Sequence, residues 1–162
     1  MAKRQPIYDV NEYLLNGTQV GVLLGWPNVT GLRPIIPTQQ QPEANERGSV
    51  RPYIVYSFRT VHDPDMWWMK TDEVSYVVWG STFDELSEVA NEIISNIQSM
   101  DESAGDIMRY LNSTTVTPQY IFHWVRLLAS FSPEPAVQEG GRMGWIITFR
   151  YEYSDVVGKH LA

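Results

Sequence analysis

The stretch Val74-Ser-Tyr-Val-Val-Trp-Gly-Ser-Thr-Phe-Asp-Glu-Leu86-Ser-Glu-Val-Ala-Asn-Glu-Ile-Ile-Ser-Asn-Ile97 changes its hydrophobic period part-way along. Through Trp79 it is β-branched and aromatic, the composition of a half-buried strand, and Gly80 with Ser81 ends that run. From Thr82 the apolar residues Phe83, Leu86, Val89, Ala90, Ile93, Ile94 and Ile97 recur three and four apart, which predicts an amphipathic helix that buries this stripe. Thr82 followed by Glu85 has the spacing of a capping box, and Asp84 and Glu85 suit the positive end of the helix dipole. A strand that runs directly into a long helix is the unit around which the remaining segments must be arranged.

Upstream, residues 50–59 and 66–79 read as an antiparallel hairpin around the turn His62-Asp63-Pro64-Asp65. A first helix is expected from Asp9, as its cap, to Leu24, with Gly17 or Gly21 breaking or bending it. Residues 26–49 carry Pro27, Pro34, Pro37, Pro42, Gly31 and Gly48, which predicts a long loop with at most a short edge strand at 33–36. Downstream, a short helix from Asp101 or Ser103 to Leu111 is expected, then strands at 119–131 and 144–153 joined by an extended loop at 132–142. In the last strand Trp145, Ile147, Phe149, Tyr151 and Tyr153 alternate with Ile146, Thr148, Arg150 and Glu152, so one face is packed and the other largely wet. The order α, β, β, α, α, β, β predicts an α+β fold: a mainly antiparallel sheet, helices packed on one face, and long inter-strand loops. At 162 residues the chain is expected to be a single domain with a core over about 7–154 and a short polar C-terminal tail.

Composition narrows the chemistry. No cysteine is present, which excludes a disulfide scaffold, a thiolate zinc site, an iron–sulfur cluster and a cysteine nucleophile, and fits an intracellular origin better than a secreted one. No apolar run is long enough for a signal peptide or a membrane span, so no membrane role is expected. A formal charge of −7 argues against a protein that holds nucleic acid by neutralising phosphates. It would suit a surface past which DNA slides. Neither the Gly-x-x-x-x-Gly-Lys-Ser/Thr loop nor Gly-x-Gly-x-x-Gly nor a Gly-x-Ser-x-Gly elbow occurs. No cofactor, metal or catalytic set is therefore expected. His62, Asp63 and Asp65, with the distant His123, are the best metal-ligand candidates, but His-Asp-Pro-Asp is also the composition of a solvated hairpin turn.

Two surface signals remain. Glu85, Glu88 and Glu92 lie three and four apart on the helix face opposite the apolar stripe, where repulsion costs a few tenths of a kcal/mol per pair. A solvated face accounts for them, and so does a partner's basic surface or repulsion of DNA. Trp67 and Trp68 are adjacent, so a regular strand would send them to opposite faces and leave one facing solvent or another chain. With Pro37 and Gln40 in the proline-dotted loop and Arg142 at the end of the last hairpin loop, these residues make the candidate interface.

At Arg51-Pro-Tyr-Ile-Val-Tyr, at Val74-Ser-Tyr-Val-Val-Trp-Gly-Ser-Thr-Phe-Asp-Glu-Leu and at Ile146-Ile-Thr-Phe-Arg-Tyr-Glu-Tyr, the chain resembles the tail terminator and neck-type tail completion proteins of tailed bacteriophages. In that family a leading helix and loop give way to a strand of the Pro-Tyr-Ile-Val-Tyr type. A second strand then runs directly into an amphipathic helix, and a long strand pair finishes the chain. The match in order spans most of residues 7–154. It implies a structural virion protein without enzymatic activity, made in the host cytoplasm and built into the tail or neck. It further implies a ring, usually a hexamer, that caps the tail tube and joins it to the head-neck connector, with a tail sheath as a further candidate partner and DNA passing through the channel. The proline-rich loop at 26–49 and the extra helix near 101–111 depart from the shorter members. Two other readings stay open: a small metal-dependent hydrolase using His62, Asp63 and Asp65, and a protein-binding module with no viral role.

Overall fold

The computed structural model describes residues 5–26, 33–37, 52–62, 68–102, 120–131, 138–139 and 142–155. The elements are α1 (Pro6–Gly17), α2 (Gln19–Leu23), β1 (Ile35–Pro37), β2 (Tyr53–His62), β3 (Met69–Gly80), α3 (Phe83–Glu102), β4 (Tyr120–Phe131), β5 (Gln138–Glu139) and β6 (Arg142–Asp155). This is the expected α+β arrangement. The sheet runs β1-β2-β3-β6-β4, with β5 paired to β6. Every pairing is antiparallel except that of β1 with β2. Because β6 is antiparallel to both of its long neighbours, β3 and β4 point the same way on either side of it, and α3 lies in the connection between them.

The three helices share one face of the sheet. Ile7, Val10, Leu14, Val20, Leu86, Val89, Ala90, Ile93 and Ile97 form a single buried core with Ile54, Tyr56, Val74, Tyr76, Val78, Ile147, Phe149, Tyr151 and Tyr153. Alternation along each strand supplies this face, as the pattern of β6 predicted. Tyr76 and Phe149 meet edge to face at 5.0 Å, and Phe122 meets Tyr151 in the same way at 5.3 Å. On the opposite face Ile36, Tyr53 and Val55 make a second buried cluster against Trp79. Gly144 pairs with Trp79, and a side chain there would crowd the indole ring at 3.2 Å.

Several boundaries differ from the sequence reading. Helix α1 begins at Pro6, not at Asp9, since a proline at the first helical position gives up only an N–H that had no partner. Asp9 is not the cap. It lies buried within the first turn. The expected break falls at Gly17, the last residue of α1: Thr18 takes an extended conformation and its hydroxyl accepts the Val20 N–H, starting α2. Gly21 lets α2 fold back, because a Cβ there would lie 1.9 Å from the Leu15 carbonyl oxygen. Helix α2 ends in a Schellman turn: Gly25 takes φ 76°, Trp26 N–H bonds Gly21 O at 2.8 Å and Gly25 N–H bonds Val22 O at 3.0 Å.

The expected edge strand is present one to two residues later than read, and Pro37 belongs to it, half-buried opposite Tyr56. His62 is the last residue of β2 and not a turn residue. Asp101 continues α3 instead of opening a new helix; the rest of that expected helix lies outside the described residues. Strand β6 starts at Arg142, which had been placed in the loop. Phe83, counted in the buried stripe, is 51% exposed, because at the first position of α3 it overhangs the sheet end with its ring 6.0 Å from that of Trp145.

Candidate functional site

Three groups of polar residues stand out, and two face solvent. The first is the outer side of α3. The Thr82 hydroxyl accepts the Glu85 N–H at 3.3 Å, and the Glu85 carboxylate accepts the Ser81 N–H at 3.2 Å, so Glu85 is spent on capping. Asp84 and Glu88 are exposed and Glu92 is half-buried, its carboxylate accepting from the Asn96 amide at 3.3 Å. The line Asp84, Glu88, Glu92 has a spacing of four and extends about 12 Å along the axis.

The second is the sheet face away from the helices. Among the described residues no helix lies over it. Its rows change character along the strands. The apolar row Val55, Val77 and Ile146 is followed by the hydroxyl row Ser57, Ser75 and Thr148, in which Ser75 and Thr148 are 3.4 Å apart. Then comes a charged row across four strands, Arg59, Glu73, Arg150 and Arg126. Arg59 bonds Glu73 at 3.4 Å, Arg126 stacks over Trp124 at 4.8 Å, and Arg126 and Arg150 face each other as a like-charged cross-strand pair. Beyond them Val61 is 52% and Ile121 37% exposed. His123, beside a bulge in β4, hydrogen-bonds Ser154 at 2.8 Å on this same face.

The third group is buried. Asp72 is fully enclosed and accepts from Thr60 Oγ1 at 2.6 Å, Tyr151 Oη at 2.7 Å and Tyr153 Oη at 3.3 Å. Three hydroxyl donors replace the water that burial removes. Burial, then the neighbouring Asp72 carboxyl, pushes the Tyr151 and Tyr153 phenols well above the usual tyrosine range. Burial also raises Tyr76, whose hydroxyl donates to Asn11 of α1, and lifts Tyr56 to about 12, helped by Tyr8 and opposed by Arg33. Sequence reading passed over Asp72, although its parity with Val74, Tyr76 and Val78 on β3 was the available signal.

Of the candidate interface residues, Glu85, Glu88 and Glu92 share the α3 surface. Trp68 is exposed just before β3, distant in the chain from that helix. Pro37 sits on the far edge strand, and Arg142 opens β6. Trp67 and Gln40 lie outside the described residues, as do Asp63 and Asp65. The structure separates His62 from His123: register places them on opposite faces, and the strands bearing them are three apart, about 14 Å. The alternative metal-ligand set of the sequence reading therefore loses His123. Among the described residues no three His, Asp or Glu side chains are grouped to hold a metal, and no helix is long and apolar enough to cross a membrane. No protein-family model matches the chain, and no curated protein matches it significantly.

Proposed function

We propose that the chain is a structural virion protein of tailed bacteriophages, a tail terminator or tail completion subunit that works by assembling into a ring. In this reading the ring, a hexamer, caps the tail tube, joins it to the head-neck connector and leaves a channel for DNA. The supporting observation is the order and continuity of elements: leading helices, the Tyr53–His62 strand, then β3 leading into α3 with only two residues between them, and a final long strand pair. That is the order the resemblance implies. The two solvent-facing charged surfaces add to it, since an assembling subunit needs exposed surface that its own core does not use.

Electron microscopy of the purified full-length protein, at concentrations up to those reached in an infected cell, tests the reading. Closed rings with a central channel are expected. A protein that stays monomeric throughout overturns it.

A further inference from the structure

We infer that Asn16-Gly17 is a site of spontaneous deamidation, and that the modification opens a side-chain clasp tying the end of α1 to the start of β1. The chemistry is independent of whether the subunits assemble.

The clasp is a closed cycle of four side chains. Asn16 Nδ2 donates to Glu12 Oε2 at 2.7 Å and to Glu12 O at 3.3 Å. The other Glu12 oxygen pairs with the Arg33 guanidinium. That guanidinium stacks over the Trp26 ring at 5.0 Å, and Trp26 Nε1 donates back to Asn16 Oδ1 at 3.0 Å. Arg33 immediately precedes Pro34, whose carbonyl accepts the Ile54 N–H at 2.7 Å beside the first β1–β2 pair, Ile35 with Ile54. The Asn16 amide joins the cycle by donating on one side and accepting on the other. A carboxylate in its place only accepts, and it meets the Glu12 carboxylate across what was a hydrogen bond of 2.7 Å. Like charges at that contact repel, so either Glu12 turns away or Arg33 leaves Trp26 to lie between two acids. Both movements open the cycle.

Asn16 is the one asparagine of the chain that precedes glycine. Glycine has no Cβ, so nothing on Gly17 shields its backbone nitrogen from the neighbouring side chain. Both residues are exposed and end α1, because Thr18 is extended and the helix stops there. In the helical conformation the Gly17 N–H is aimed along the axis, out of line with Asn16 Cγ, but an exposed helix end frays readily. On fraying, the Gly17 nitrogen loses its proton to solvent and bonds to Asn16 Cγ. The side-chain amide leaves as ammonia, and a cyclic succinimide remains. Water then opens the ring at either carbonyl, giving aspartate or isoaspartate, so water is the only co-reactant. Asn96 is the contrasting case. Its amide likewise donates to a carbonyl one turn back, Glu92 O at 2.8 Å, but it lies inside α3 and the β-branched Ile97 follows it.

Mass spectrometry of peptides spanning residue 16, from full-length protein incubated at mildly alkaline pH with and without urea, tests the inference. The native chain is expected to gain the mass of an amide-to-acid exchange at Asn16, with isoaspartate in the product, about tenfold more slowly than in urea. Asn96 stays unchanged in the native chain. Gly17→Ala, which sets a Cβ beside the nitrogen, slows the gain about tenfold in both states. Trp26→Phe releases Asn16 Oδ1 and raises the native rate about threefold with the rate in urea unchanged. Glu12→Ala, which removes the other partner of the amide, takes its place if that variant does not fold. Asn16→Asp supplies the charge of the product, and hydrogen exchange at the Ile54 amide is expected to quicken about tenfold while circular dichroism shows the fold retained. A native Asn16 that keeps its amide after the urea sample has converted completely, or conversion as fast in Gly17→Ala as in wild type, overturns the site. A native rate indifferent to loss of either amide partner, or Ile54 exchange unchanged in Asn16→Asp, overturns the clasp.

Discussion

Asp72 illustrates how one residue changes the character of a core. It occupies a packed position of β3 that would otherwise take valine, and Thr60, Tyr151 and Tyr153 are held in place by donating to it. The tyrosines make the consequence measurable. In the unfolded chain their phenols ionise near 10, whereas in the fold burial lifts Tyr56 to about 12 and pushes Tyr76, Tyr151 and Tyr153 well above the usual tyrosine range. Above pH 10 unfolding therefore releases protons that the native state retains, and stability present below that pH falls as pH rises. Each such group contributes a slope of about 1.4 kcal/mol per pH unit between its two pKa values. Urea denaturation between pH 8 and 11.5 should show a flat region followed by a steep decline above 10, with the share of tyrosinate absorbance that belongs to these four of the nine tyrosines rising only together with unfolding. Stability that is level to pH 11.5, or ionisation of all nine tyrosines in the folded protein, would contradict the enclosed geometry.

At the scale of elements, α3 carries the clearest expectation. Ile93 is fully buried against the sheet, so Ile93→Ala removes contacts and leaves a cavity, costing about 2–5 kcal/mol. Glu88 is exposed and lies past the capping turn, so Glu88→Ala should change the stability of the isolated subunit by less than about 0.5 kcal/mol. Equal losses for the two substitutions in chemical denaturation would show the helix orientation to be wrong. The helix was legible because its apolar stripe is long and its cap is written in Thr82 and Glu85. The strands of 53–62, 69–80 and 142–155 were legible from composition and alternation, for the same local reason. The failures involve tertiary placement. Phe83 fits the stripe by spacing yet overhangs the sheet end, and Asp9 has the composition of a cap although the local start signal is Pro6, a proline at the first helical position. The arginine row was invisible for a stronger reason. Arg59, Arg126 and Arg150 are far apart in sequence, and only the insertion of β6 between β3 and β4 aligns them. The acidic line, by contrast, lies within one helix, and spacing alone gives Glu88 and Glu92; its third member is Asp84, because the expected Glu85 turns back to cap the helix.

For the whole molecule, the charge balance constrains what can pass by it. In the proposed ring, six copies at −7 each would carry a formal charge of about −42, and a channel through it would have to coexist with a polyanion. Arginines turned toward the channel would hold the duplex by releasing its counterions and slow its passage. Assembled protein should therefore show no measurable binding to duplex DNA at physiological salt. If Glu88 and Glu92 take part in the proposed assembly, its contacts should weaken as ionic strength rises and the Debye length shrinks from about 10 Å at 0.1 M to about 3 Å at 1 M. Gel-shift and sedimentation series over that range measure both quantities on the same preparation. Tight duplex binding by the wild type would reverse the assignment of the channel surface, and assembly indifferent to salt would remove the charged faces from the interface.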